Sequence, residues 1–221
     1  MVLNALVIGA SGGIGAAFAA EFAARGAAVT GLSRARDGLD VTDPAAVARV
    51  MGALEGPFDA VIIATGILAP AGHGPEKSLD AIDADVMART FAVNAIGPAL
   101  LLSHVARLLP REGRSVVGVL TARVGSIGDN RLGGWHSYRA SKAAANQIVR
   151  GAAIEVGRKR KDAVVVALHP GTVETGFTAA YSGHAKMSPQ ESVQKLLKVL
   201  KDLKPEDSGG FFDHAGAEVP W

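Results

Sequence analysis

The stretch from Val2 to Arg25 constrains this chain more than any other. An apolar run, Val2 to Ile8, ends in Gly9-Ala10-Ser11-Gly12-Gly13-Ile14-Gly15 and passes straight into the alanine-rich helical pattern Ala16 to Arg25. Strand, glycine turn and helix in that order build an anion site. Glycines let the backbone approach a pyrophosphate, and a helix N-terminus offers unpaired N–H groups and a positive dipole end. The spacing is Gly-x-x-x-Gly-x-Gly rather than Gly-x-Gly-x-x-Gly. No Lys-Ser or Lys-Thr follows, which argues against a nucleoside-triphosphate loop. A glycine turn that only packs a strand on a helix would look the same in isolation, so the remaining motifs must separate the two.

The rest of the chain repeats the alternation. Strands are expected at Leu3 to Gly9, Ala28 to Ser33, Ala60 to Thr65, Ser115 to Thr121, Val164 to Leu168 and Gly210 to Asp213, with a short one near Leu39 to Val41. Helical patterns cover Gly13 to Arg25, Pro44 to Leu54, Leu79 to Leu109, Ser137 to Arg158 and Pro189 to Asp202. Apolar runs alternating with helices predict an α/β fold, a doubly wound parallel sheet with both faces covered. The chain has 221 residues, 48% of them hydrophobic, and no linker divides it, so one domain over residues 1–221 is expected. In open sheets of this kind ligands bind outside the C-terminal strand ends, and the motifs described below all fall there.

Several classes are excluded by what the chain carries. It has no cysteine, hence no disulfide framework and no thiolate metal site, in keeping with a reducing cytoplasm. Met1-Val2-Leu3-Asn4 lacks the basic start of a secretory signal, and no run of about 20 residues is uninterruptedly apolar, so membrane insertion is not expected. A net charge of +2 is too small to argue for nucleic acid. The basic cluster Arg158-Lys159-Arg160-Lys161 sits where a long helix ends, complements its dipole, and has no interleaved aromatic residues.

Chemistry enters with Tyr138-Arg139-Ala140-Ser141-Lys142. On a helix, positions i and i+4 face the same way, so the phenol and the ammonium lie one above the other. A neighbouring cation favours phenolate, which would make the pair a general acid/base. A surface tyrosine with a solvated lysine has the same spacing. Asn94 falls inside a helical stretch, where asparagine is a poor helix former. Pro98, four residues on, has no N–H to give the Asn94 carbonyl.

The glycine turn, Asn94, Tyr138 with Lys142, and His169-Pro170-Gly171-Thr172-Val173-Glu174-Thr175 occur in the order found in the short-chain dehydrogenase/reductase family. The resemblance spans nearly the whole chain. Arg123 to Ile127 and Gly133 to Arg139 look most like its C-factor-like and sniffer-like carbonyl reductases. By resemblance, Gly9, Ser11, Gly12, Gly13, Ile14 and Gly15 hold a dinucleotide, Asp40-Val41 contacts the adenine, and Ala64-Thr65-Gly66 lets the adenosine half lie close. Pro170-Gly171 with Val173 and Thr175 meets the nicotinamide and the phosphates. Asn94 holds a water that passes protons to Lys142, a buried and locally satisfied asparagine being the competing account. At the second strand end, Ser33-Arg34 replaces the acidic residue that would bind a ribose 2′-OH, and a serine with a guanidinium suits a phosphate there. NADP(H) is therefore the expected cofactor, with Arg36 assisting. His169 has no partner at a metal-ligand spacing.

The chain departs from the family in two places. The usual Asn-Asn-Ala-Gly reads Ala64-Thr65-Gly66, without either asparagine. In most relatives the strand ending here at Thr121 ends in Ser-Ser, whose second serine donates to the substrate carbonyl, and Ala122 stands at that place. Ser126 in the following loop is the better-placed substitute, the alternatives being Thr121, a backbone N–H or no substitute at all. The expected function is reduction of a carbonyl, or oxidation of an alcohol, by NADP(H), with Asn94, Ser126, Tyr138 and Lys142 as the catalytic set. An NADPH-binding sensor with little turnover is the alternative. Trp135, Phe177 and Tyr181 are candidate pocket walls, each equally able to be core, and Gly171 to Ser188 is a candidate lid. Two long helices, Leu79 to Leu109 and Ser137 to Arg158, carry apolar residues on more than one face, which suits a homodimer or homotetramer.

Overall fold

The computed structural model describes residues 3–178 and 186–221. Six strands, β1 (Asn4–Ile8), β2 (Ala28–Leu32), β3 (Ala60–Ile63), β4 (Ser115–Leu120), β5 (Ala163–His169) and β6 (Phe211–Asp213), form one parallel sheet in the order β2-β1-β3-β4-β5-β6. Its strands are covered on both sides, which is why β3, β4 and most of β5 are buried at every residue instead of alternating. The helices are α1 (Gly13–Ala24), α2 (Arg34–Asp37), α3 (Pro44–Gly52), α4 (Ala84–Phe91), α5 (Gly97–Leu108), α6 (His136–Lys159) and α7 (Pro189–Asp202). They divide the core in two. Phe18 and Phe22 of α1 and Leu196 and Leu200 of α7 pack on one face with Val7, Ile62 and Val166. Met51 of α3, Leu101 and Val105 of α5, and Val149 and Ala153 of α6 pack on the other with Leu6, Val117 and Val165.

Local chemistry sets the helix starts. Asp43 accepts from Ala45 N at 2.9 Å ahead of Pro44, and Ser188 accepts from Glu191 N at 3.1 Å ahead of Pro189. The long helix expected over Leu79 to Leu109 is divided. A 3-10 turn (Leu79–Ala81) comes first; Asp83 then caps α4 by accepting from Asp85 N and Val86 N, both at 2.9 Å. A wide π turn (Ala92–Ile96) around Asn94 separates α4 from α5. The segment Ala84–Leu108 is long and apolar enough to cross a membrane by length and composition. Here its apolar residues Val86, Leu101, Leu102, Val105 and Leu108 are spent on the core. The short strand expected near Leu39 to Val41 does not form. Leu39 is buried and Val41 packs beside Gly97, but Asp40 folds its carboxylate onto Thr42 in a turn, so that stretch joins no ladder.

The strand order reverses between β1 and β3, where a crevice opens at the C-terminal strand ends. There the two loops touch: a Cβ built on Gly9, whose φ is +90°, would lie 2.9 Å from the carbonyl carbon of Ala64. Gly15 is tighter still, since its Cβ would fall 2.1 Å from the Gly9 carbonyl oxygen. Glycine is required at both positions for the turn to close on the helix.

Candidate active site

A cavity of about 780 Å³ opens over these strand ends. One end of its wall is the start of α1: Gly12, Gly13, Ile14 and Gly15. Gly12 caps the helix without a side chain, so the first-turn N–H groups are left for a ligand. Ala64, Thr65 and Gly66 follow from β3, and Pro170, Gly171, Val173 and Thr175 close over from β5, Thr175 lying where a Cβ on Gly13 would strike it at 2.7 Å. The strip is glycine-rich, with the bare N-terminus of α1 at one end, and fits an extended, anionic dinucleotide. Gly9 and Ser11 after β1, Ser33 and Arg34 at the start of α2, and Asp40 and Val41 after α2 are not part of the cavity wall.

Ser33 N-caps α2. Its N–H and hydroxyl both go to Asp37 Oδ2, at 2.6 and 3.4 Å, and it accepts from Arg36 N at 3.3 Å. Arg36 pairs with Asp37 at 3.2 Å, whereas Arg34 is exposed and makes no ion pair among the described residues. Arg34 is thus the guanidinium available to a ligand there. Asp37, which the sequence reading did not single out, organises this turn. Asp40 Oδ1 is occupied by Thr42 N at 2.9 Å and the Thr42 hydroxyl at 2.7 Å.

The other half of the cavity wall is built on α6. Tyr138 and Lys142 are both buried and both line the cavity. Lys142 Nζ donates to Leu120 O at 3.1 Å and lies 5.9 Å from the Tyr138 ring centroid. A Cβ on Gly66 would come within 3.1 Å of Nζ and 3.3 Å of Asn94 Oδ1, so this glycine clears the lysine's path. Burial, not the cation, governs both groups. It pushes the Tyr138 phenol above its ordinary value and the Lys142 ammonium down to about 8. The expectation that Lys142 lowers the Tyr138 pKa is therefore not met by this geometry, which keeps the phenol protonated.

Asn94 is completely buried and clamps three elements together. Its amide exchanges two 2.8 Å bonds with the Ile67 backbone and donates to Ser141 Oγ at 3.1 Å, while Ser141 donates to Tyr138 O at 2.8 Å. Both amide protons are thus used, and Pro98, having no N–H, leaves the Asn94 main-chain carbonyl without its i+4 donor. Ser126 is not among the residues that line the cavity with Tyr138. It is buried, and its hydroxyl accepts from Asp129 N at 3.0 Å. In the loop this serine serves as a local cap for Asp129 N.

Two aromatic rings flank Tyr138: Trp135 at 6.2 Å, edge-on, and Phe177 at 5.8 Å, tilted. Both line the cavity, as do Leu68, Val124 and Leu132. Tyr181 lies outside the described residues. On the near side of the lid segment, Val173 bridges Met187, with Glu174 N to Met187 O at 2.9 Å. Trp135, φ +52°, is the only non-glycine residue with positive φ among the described residues and follows Gly133 and Gly134, both at +63°. That backbone costs of order 1–3 kcal/mol and must be held by its surroundings.

Glu76, unmarked by any motif, supplies the hold. Its carbonyl accepts from Trp135 N at 2.5 Å, and its carboxylate accepts the Ser137 N–H at 3.2 Å and the Ser137 hydroxyl. Burial pushes this carboxyl up, but the Ser137 bonds and nearby His136 outweigh it, and the net direction is down. A carboxylate with a lowered pKa stabilises the fold above its ordinary value of 4.5 and loses that contribution as pH falls through the lower folded value. Glu76→Ala would orphan a buried N–H and hydroxyl. It is expected to cost about 1–3 kcal/mol, read as a lower Tm, with turnover reduced because the first turn carrying Tyr138 loosens. Unchanged Tm and turnover would refute it.

A parallel sheet with a dinucleotide cradle at its switch point and a buried Tyr-x-x-x-Lys pair on the adjoining helix defines an oxidoreductase-type nucleotide-binding site. The chain belongs to the short-chain dehydrogenase/reductase family: a family model of that group, described as enoyl-(acyl carrier protein) reductase, matches residues 9–211. It is 37% identical over 166 residues to C-signal of Myxococcus xanthus, covering 75% of this chain and 94% of that protein. It is 38% identical over 141 residues to 1-hydroxy-2-glutathionyl-2-methyl-3-butene dehydrogenase of Rhodococcus sp., covering 63% of this chain and 61% of that one. Among solved structures, an NADPH-bound carbonyl reductase from chicken fatty liver superposes with a TM-score of 0.85 at 28% identity, over 100% of this chain and 99% of the other.

Proposed function

We propose that this protein is an NADP(H)-dependent reductase of carbonyl compounds, or the corresponding alcohol dehydrogenase, in which Tyr138 is the general acid/base and Lys142 assists it. The observation that carries the reading is the shared cavity: the phenol of Tyr138 faces the same space as the bare α1 N-terminus and the Pro170–Thr175 segment. When bound, NADPH supplies the hydride. Tyr138, kept protonated by burial, gives its proton to the carbonyl oxygen. Lys142 is fixed on Leu120 O beside it, and Asn94 locks α6 to the loop after β3. Consumption of NADPH with a panel of aldehydes, ketones and quinones tests the reading. Tight NADPH binding without turnover of any of them would favour a sensor, the second reading, which the methyl of Ala122 in place of a hydroxyl supports.

Arg34, exposed at the β2 end and without a close ion pair among the described residues although its charge is felt by Asp40, is the 2′-phosphate ligand in this reading. Losing a charge-assisted contact costs on the order of 1.5–3 kcal/mol. Arg34→Ala should therefore weaken NADPH at least about tenfold and leave NADH nearly unchanged. Equal losses for both cofactors in titrations would refute the assignment. Homo-oligomers are proposed from Ile96 and Ile154, half-exposed apolar residues on the outer helices. Light scattering at micromolar concentration checks this. A cytoplasmic setting accords with the absence of cysteine.

A further inference from the structure

Tyr138 alone does not complete a carbonyl site, because charge developing on the substrate oxygen is best met by a second, preorganised donor. The usual hydroxyl is missing at Ala122, and Ser126 is buried and does not line the cavity. The other polar side chains of the cavity wall beside Tyr138 are mostly spent or sealed. Lys142 donates to Leu120 O, and Arg139 to Val124 O with its Nε out of reach of solvent. Thr121 lines the wall, yet its hydroxyl oxygen is itself sealed and unpartnered.

His169 differs from all of these. It is the last residue of β5, and the β4–β5 register pairs Leu120 with Leu168, so His169 stands beside Thr121, one residue short of Ala122. Strand alternation places it on the α6 face, in line with Val165 and Ala167, and it lines the cavity with Tyr138. Neither ring nitrogen is hydrogen-bonded among the described residues, and only Nδ1 is sealed from solvent. A sealed, unpartnered N–H costs more than an unpartnered lone pair, so the proton belongs on Nε2, the nitrogen left open. Burial, then the neighbouring His214 ring 6.2 Å away and Arg123, outweigh Asp213 and bring its pKa down to about 4, which leaves a neutral imidazole with one N–H to give.

We propose that His169, through its Nε2–H, is the hydrogen-bond donor that holds the substrate carbonyl oxygen alongside Tyr138, in the role a serine hydroxyl plays in relatives. This rests on the carbonyl-reductase reading above. It makes His169 a catalytic residue, contacting the reacting oxygen rather than supporting the fold.

The test is steady-state reduction, by wild type and variants, of whichever carbonyl in the panel wild type turns over, with NADPH affinity measured in parallel. His169→Ala is expected to lower kcat by about 10²–10³-fold, as for loss of one oxyanion donor, with NADPH affinity and Tm little changed. His169→Gln, which keeps an N–H at similar reach, should retain part of the rate. Ala122→Ser in the His169→Ala background should restore part of it by supplying the hydroxyl from the neighbouring position. A His169→Ala enzyme with wild-type kcat overturns the inference alone, as does a Gln variant no better than Ala combined with no rescue by Ala122→Ser. Loss of NADPH affinity equal to the loss of rate would make His169 a cofactor residue and overturns it too. If His169→Ala does not fold, the Gln variant decides, and a folded Gln variant with neither rate nor rescue counts against the proposal. Wild type that binds NADPH and turns over no carbonyl overturns both this inference and the reading beneath it.

Discussion

Tyr138→Phe is expected to lower carbonyl reduction by about 10²–10⁴-fold, the range supplied by a positioned general acid, while NADPH binds as before. The phenol is buried between Trp135 and Phe177, and removing its oxygen leaves the ring packing intact. Folding should therefore be preserved. Single-turnover rates together with a cofactor titration separate the two effects. A Phe variant that keeps wild-type turnover would place the proton donor elsewhere in the cavity. A variant that loses NADPH affinity in proportion to rate would reduce Tyr138 to a binding residue.

The second large effect is expected at Gly15. A methyl there would sit 2.1 Å from the Gly9 carbonyl oxygen and 2.8 Å from its carbon, both backbone atoms that cannot swing aside. Either α1 moves off the turn or the turn opens, and both destroy the cradle. Gly15→Ala should cost at least the roughly 1–3 kcal/mol of an overpacked core substitution and abolish measurable NADPH binding. Gly157 in α6 provides the control. It has nothing within 4 Å of a built Cβ, so Gly157→Ala should stabilise by up to about 1 kcal/mol through helix propensity without touching binding. Thermal melts and cofactor titrations on the two variants check both, and a Gly15→Ala protein that binds NADPH normally would refute the close approach.

Much of this architecture was legible because it depends on short-range chemistry. The passage from Ile8 through the glycines to α1 could be read from residue types alone, and so could the α6 face carrying Tyr138 and Lys142. What failed depended on where a side chain finally points. Ser126 and Thr121 are both hydroxyls near the end of β4; only packing decided that one caps Asp129 N and the other turns to the cavity wall with its oxygen sealed. The helix expected from Leu79 onward was apolar enough to be continuous, yet Asp83 and Asn94 each found partners that rewarded a break. Glu76 lies 61 residues from Ser137 in a loop with no periodicity, so nothing local announces that its carboxylate pins α6. The left-handed backbone of Trp135 runs against residue preference and could not be inferred from it. His169 was noticed only as a poor metal ligand, although the period-2 alternation of β5 already placed it on the α6 face.

The division of the core into two has a consequence for how such a protein can change. The helix that presents the anion cradle rests on one face of the sheet with α7, whereas the helix bearing Tyr138 and Lys142 rests on the other with α3 and α5. The two half-sites therefore meet at the strand ends and across the Thr175–Phe177 segment, which touches Gly13 on one side and Tyr138 on the other, while substitutions that repack one helix layer do not have to be absorbed by the other. Nucleotide preference and substrate choice can drift as separately heritable traits, with the fully buried strands serving as the rigid datum against which each is adjusted.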